Sequence, residues 1–199
     1  MIRKLCTEQQ VKDYCLVDWD DSFDASVDGW IESISGIIEN MCNRKLGADV
    51  VGSGDDEFED KYFDGNNRAE ISIDDCLEVD SVFLGDMYGD NLVEITSDVI
   101  SYPKIAPIRK IIRKSGTFSA GLQNLKIGAK WGLFVDIPAD LAFAATVLVA
   151  GIITNQTKGT QAKKSESIGN FSVTYVDDKG IADYDRALSI INAYKKIIL

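Results

Sequence analysis

The sequence predicts an α+β protein that is mainly α, a helical bundle with a small antiparallel β subdomain inserted into it. Three observations lead there. Apolar residues recur at helical spacing after Asp24, and a nearly unbroken apolar run, Leu141 to Ile153, follows much later. Between them, from about residue 50 to residue 130, short β-branched or aromatic segments alternate with Gly, Asn and Asp. The chain of 199 residues, 45% apolar and 27% charged, has the size and balance of one domain with a real core, so residues 1–199 are expected to form a single unit.

Taken in order, a first helix is expected over about 7–15, because Thr7 and Gln10 have the spacing of a capping box and Val11 and Tyr14 follow at i, i+3. Asp18 to Asp21 interrupts it. Over about 24–46 the stripe Val27, Trp30, Ile31, Ile34, Ile37, Ile38, Met41 sets an apolar face, with Asp28, Glu32 and Glu39 off it. In the β-rich region, Phe58 to Phe63 and Arg68 to Ile73 flank Asp64-Gly65-Asn66-Asn67, which predicts a hairpin because Gly and Asn accept the positive φ of such turns. Further strands are expected at Val79 to Leu84, Leu92 to Ile95, Ile111 to Arg113 and Leu125 to Lys130, with a turn at Met87 to Asn91. Pro138 suits a first helical turn and Asp140 a helix N-terminus, so a third helix is placed at about 138–154. Being apolar nearly all round, it belongs at the centre of a core or between subunits. Asn155 to Ser167 reads as an exposed loop, Phe171 to Tyr175 as a strand, and about 181–198 as a last helix carrying Ala187, Leu188, Ile191 and Tyr194.

Composition narrows the function. A formal charge of −11 disfavours an electrostatic grip on nucleic-acid phosphate, which needs clustered Lys and Arg. The one basic concentration is Lys104, Arg109, Lys110, Arg113 and Lys114, interleaved with isoleucines; it reads as a strand and its flanks that pair with acidic surface of the same or a neighbouring subunit. The chain contains no histidine, which removes Ser-His-Asp and Cys-His catalysis, and it has no phosphate-binding or dinucleotide Gly motif. Cys6, Cys15, Cys42 and Cys76 lack metal-ligand spacing and read as reduced thiols. The clusters Asp18, Asp20, Asp21 and Asp55, Asp56, Glu57, Glu59, Asp60 lack EF-hand spacing and read as solvated acidic surface. No enzyme, metal or cofactor is expected; a small metal-dependent hydrolase is the alternative from another class. No signal peptide is read at the start, and the longest apolar run, about 14 residues or ~21 Å as a helix, is short of the ~30 Å bilayer core, so no membrane is expected.

Four segments, in this order, resemble the head-tail connector family of long-tailed bacteriophages, the adaptor or head-completion proteins. They are Trp30 to Glu39 ending in Asn43-Arg44-Lys45-Leu46; Tyr62-Phe63-Asp64-Gly65 with Arg68; Trp131-Gly132 to Ile137-Pro138-Ala139-Asp140-Leu141; and Ser165 to Tyr175. The resemblance implies a virion protein of the neck, assembled in the host cytoplasm into a ring of about a dozen copies. It implies portal protein and a stopper or tail-completion protein as partners, with duplex DNA passing through the channel without specific binding. A stopper or tail-completion protein is the alternative within the same class. The shorter family members lack the long middle, about Asp74 to Gly128, so the resemblance assigns it no role.

Two stretches are candidate contacts with portal or a neighbouring subunit. One is Ser165, Glu166, Ser167 and Ile168. The other is the apolar end Tyr194, Ile197, Ile198 and Leu199, because a chain end is ordinarily frayed and polar.

Overall fold

The computed structural model describes residues 3–16, 21–48, 58–157, 164–168, 171–175 and 178–196. It divides into two compact units, one formed by Met1–Asn43 with Asp136–Leu199 and the other by Arg44–Val135.

The first unit is built on four helices, α1 (Glu8–Cys15), α2 (Asp21–Cys42), α3 (Ala139–Thr157) and α4 (Asp178–Ala193). The capping box forms: the Thr7 hydroxyl accepts from the Gln10 amide at 3.2 Å, and the Gln10 side chain accepts from the Thr7 amide at 2.8 Å. On α2 the residues Val27, Ile31, Ile34, Ile38 and Cys42 are buried. These positions, at i, i+4, i+7, i+11 and i+15, make one stripe. Ser35 is buried within the stripe, and its hydroxyl accepts from the Leu5 amide at 2.9 Å while donating to the Ile31 carbonyl at 2.7 Å.

Helix α3 packs against α1, α2, α4 and the strand β8 (Phe171–Tyr175), which accounts for its lack of a polar face. Leu141, Val147, Leu148, Val149 and Ile153 are all buried, each worth ~1.5–3 kcal/mol relative to exposure. This covering comes from the chain's own elements. Tyr184, Ala187 and Ile191 bury the inner face of α4. The chain leaves α4 at Tyr194, and the Lys196 amide donates to the Cys42 carbonyl at the end of α2, at 2.9 Å. β8 pairs antiparallel with β7 (Lys164–Ile168).

The second unit is a six-stranded antiparallel sheet made of β1 (Glu59–Gly65), β2 (Glu70–Leu84), β3 (Val93–Glu94), β4 (Val99–Tyr102), β5 (Ile108–Arg113) and β6 (Gly121–Trp131). The strands lie in the order β1-β6-β2-β5-β4, and β3 joins the far end of β2. One side of the sheet buries Ile71, Ile73, Val82, Ile111, Phe118, Leu125, Ile127 and Trp131 in a continuous core. The two ends of this unit are stitched to each other. The Ala48 amide donates to the Phe134 carbonyl at 2.9 Å, and the Phe134 amide donates to the Leu46 carbonyl at 2.9 Å. Adjacent ends are what allow such a segment to sit as an insertion.

The fold class is corrected. The chain is mixed α+β rather than mainly α, with 38% helix and 32% strand among the described residues. Part of the difference lies in β2, a single 15-residue strand with bulges on its pairing edges between Ser72 and Cys76, Cys76 and Glu78, and Val79 and Ser81; the rest comes from β4 and β7 and from longer β5 and β6. At each bulge the in-out alternation slips, so Ile71 and Ile73 face the core in one phase and Cys76 and Val82 in the other. A period-2 pattern broken this way reads as two short strands. The expected hairpin across Asp64 to Asn67 is not one either, since β6 lies between β1 and β2. The turn chemistry serves another contact: Asn67, at φ 58, donates its amide to Phe118 and accepts from Ala120 on the approach to β6. By contrast the Met87 to Asn91 turn does close a hairpin, with Leu84 opposite Val93. The expected loop Asn155 to Ser167 is shorter than read, because α3 runs on to Thr157 and β7 begins at Lys164.

Candidate interaction surfaces

Of the two stretches singled out in the sequence, Ser165, Glu166, Ser167 and Ile168 form most of β7 and pair with Thr174, Val173, Ser172 and Phe171 of β8. Ile197, Ile198 and Leu199 lie outside the described residues. Tyr194 is half-buried, and its hydroxyl donates to the Asp140 carboxylate at 2.9 and 3.0 Å. Partial burial and the adjacent Asp140 charge push its phenol up to about 12. This contact ties the segment after α4 to the first turn of α3.

The basic stretch is engaged within its own sheet. Arg109 bonds Asp75 at 3.1 Å, Lys110 bonds Glu70 at 3.3 Å and Arg113 bonds Asp98 at 2.9 Å. The Lys114 ammonium donates to the Ser97 carbonyl at 2.6 Å. The charges along β5 thus meet acids and carbonyls brought alongside by β2 and the turn before β4. Asp98 is held below the usual carboxylate range by hydrogen bonds from Ser115 and Arg113.

No set of three or more Cys, Asp or Glu side chains able to hold a metal occurs among the described residues. Asp18, Asp20, Asp55, Asp56 and Glu57 lie outside them. Of the rest, Asp60 bonds Lys126 at 2.8 Å and Glu59 faces Lys45 at 3.8 Å. Burial pushes the Cys6 thiol up to about 11 and, aided by the Asp75 charge, the Cys76 thiol up to about 12, so both stay protonated and poorly nucleophilic near neutrality. No helix among the described residues is long and apolar enough to cross a membrane.

Two features escaped the sequence reading. Asp75 is buried on β2 with a side chain 2% exposed, and its carboxylate holds two arginines. Arg44 donates from Nε at 3.0 Å and from a terminal nitrogen at 2.8 Å, and Arg109 donates from Nε at 3.1 Å. The clamp joins the entry of the sheet unit to β2 and β5. The second is what the β2–β3 turn displays, with Met87 and Tyr88 standing out in water. The Asp86 carboxylate accepts from the amides of Tyr88 and Asp90 and from the Asn91 side chain, and these bonds hold it below the usual carboxylate range. Aspartate followed by glycine and asparagine signalled the turn, but only the structure shows what the turn displays.

The chain is thus a mixed α+β protein with an exposed β2–β3 turn. No family model matches it, and no curated protein does. Among solved structures it is similar to a chain in the neck of an empty gene transfer agent (GTA) particle computed with C6 symmetry. The TM-score is 0.63 at 11% identity, covering 100% of this chain and 94% of that one. A chain of the virion of a native GTA particle gives 0.62 at 11% identity over the same shares, and one from the neck of a native GTA particle computed with C12 symmetry gives 0.57 at 11% identity, covering 100% and 97%. The likeness is one of fold, and it takes in the helical and the sheet residues alike.

Proposed function

We propose that this chain is a non-catalytic structural subunit of the neck of a phage-like particle, forming the adaptor ring between portal and tail. The observation that carries the reading is the likeness to GTA neck chains over 100% of this chain and 94% of theirs, which leaves no large segment of either unaccounted for. The order of the four sequence segments that resemble head-tail connectors supports it independently. In this reading the ring holds about a dozen copies, in keeping with the twelvefold symmetry used for one of the GTA necks. Tyr194 to Leu199 and Ser165 to Ile168 face portal or the next subunit. A charge of −11 suits a wall along which duplex DNA slides, because a surface without a net positive field does not trap phosphates.

The test is co-purification with portal-bearing heads, followed by reconstruction of the neck. The expected outcome is density for this chain as a closed ring directly beneath portal. A chain absent from particles refutes the reading, and a ring one layer further out makes it a stopper.

A further inference from the structure

Most of the exposed large apolar side chains among the described residues gather in two patches of the sheet unit. The first is the β2–β3 turn, where Met87, Tyr88, Leu92 and Val93 are exposed beside Leu122 of β6. Tyr88 is 76% and Leu122 70% exposed, and the Leu122 amide donates to the Met87 carbonyl at 3.1 Å, which fixes the two segments side by side. The charges of this turn, Asp86, Asp90 and Glu94, are all negative. The second patch is the edge strand β4 with the connection to β5, where Ile100, Tyr102 and Ile105 are exposed, Ile105 at 82%. Lys104 lies in this connection, and Arg109 beyond it is bonded to Asp75 at 3.1 Å.

The first patch lies at the β2–β3 turn and the start of β6, the second on the outer edge strand β4 and the connection after it, so the two are separate surfaces of one sheet. Apolar surface of this kind in water marks a contact site. Two copies of the acid-rimmed turn facing each other would oppose like charges, so a self-matching contact is disfavoured. The surface that offers both apolar side chains and the opposite charge is the β4–β5 edge of the same unit in another copy. A contact between two different surfaces of identical chains repeats head to tail, and it closes into a ring when the rotation allows.

We propose that the β2–β3 turn of one subunit docks on the β4–β5 edge of the next. The turn places Tyr88, Met87 and Leu122 against Ile100, Tyr102 and Ile105, with Asp90 facing Lys104. The proposal deepens the ring reading and rests on it.

The test uses the full chain with Asp90→Lys, Lys104→Glu, both together, and Tyr88→Ser. Asp90 and Lys104 are exposed, and only the backbone of Asp90 holds the turn, so thermal melting should match the parent in all four. Association is followed by native mass spectrometry and sedimentation. Each single charge reversal is expected to weaken self-association about tenfold and the double reversal to restore it, while Tyr88→Ser weakens it by about tenfold or more. Rings that ignore both single reversals overturn the proposal and leave the ring reading standing. If those rings also fail to join portal-bearing heads, the turn serves a different protein and the second-copy assignment is wrong. A chain that stays monomeric at high concentration and is absent from particle rings overturns both.

Discussion

Replacing Asp75 with alanine withdraws the carboxylate that Arg44 and Arg109 share. Arg44 is 11% exposed and makes two of the three hydrogen bonds, so the guanidinium loses its carboxylate in a place that water barely reaches. Removing one partner of a buried ion pair costs ~3–5 kcal/mol. Arg109 is 56% exposed, so its share is screened down to ~0–1 kcal/mol. Unfolding entropy of ~2.1 cal/mol/K per residue over the sheet unit converts the Asp75→Ala loss to a Tm drop of ~15–25 °C if that unit melts by itself, or about half of that if the whole chain melts as one. Calorimetry of Asp75→Ala, Arg44→Ala and Arg109→Ala gives the order, with hydrogen exchange on β2 and β5 locating the damage. Asp75→Ala and Arg44→Ala should be severe and coupled in a double-mutant cycle, and Arg109→Ala mild. An Asp75→Ala loss below ~1 kcal/mol, or an Arg109→Ala loss equal to it, would refute the assignment of Asp75 as a buried clamp.

Gly132→Ala should be the costlier of two glycine substitutions: at φ +141 its new Cβ would lie 2.6 Å from the Ala48 backbone, whereas Gly116, at φ +88, faces open space and should lose only ~1–2 kcal/mol; urea midpoints will rank them. From neutrality to about pH 9 stability should be level, and above that it should fall. The unfolded Cys6 and Cys76 thiols release protons near 9.0 while the folded thiols keep theirs until about 11 and about 12, so the folded state binds more protons in that window. Urea titrations between pH 8 and 10 test this, and Cys6→Ala with Cys76→Ala should flatten the slope. Deleting Ile197 to Leu199 should leave Tm unchanged and abolish joining to portal-bearing heads; a Tm several degrees lower with normal joining would place those residues in the subunit's own core.

The helical face of α2 and the capping box at Thr7 were legible because both are local: the spacing of Val27, Ile31, Ile34 and Ile38, and of Thr7 and Gln10, determines which groups share a face or reach each other. The Met87 to Asn91 turn was legible for the same reason, and so was β8. Centrality of α3 also followed from its sequence, since a helix without a polar face must be covered on every side; that its cover is α1, α2, α4 and β8 did not. Tertiary structure decided what depends on distant partners. β1 finds β6 rather than the β2 that follows it, and the bulges of β2 hide one long strand behind two broken patterns. The candidate surfaces divide along the same line. The basic row on β5 could be listed from the sequence, but its acids arrive from 15 to 40 residues away. Asp75 gave no local sign of being buried, because Arg44 and Arg109 stand 31 and 34 residues to either side of it. The two apolar patches gather side chains from separate strands, brought together by the order of the sheet. Periodicity records which face a residue takes within its own element. Which element lies across from it depends on closing long loops, whose entropy grows only slowly with length and therefore leaves little trace in the sequence between the partners.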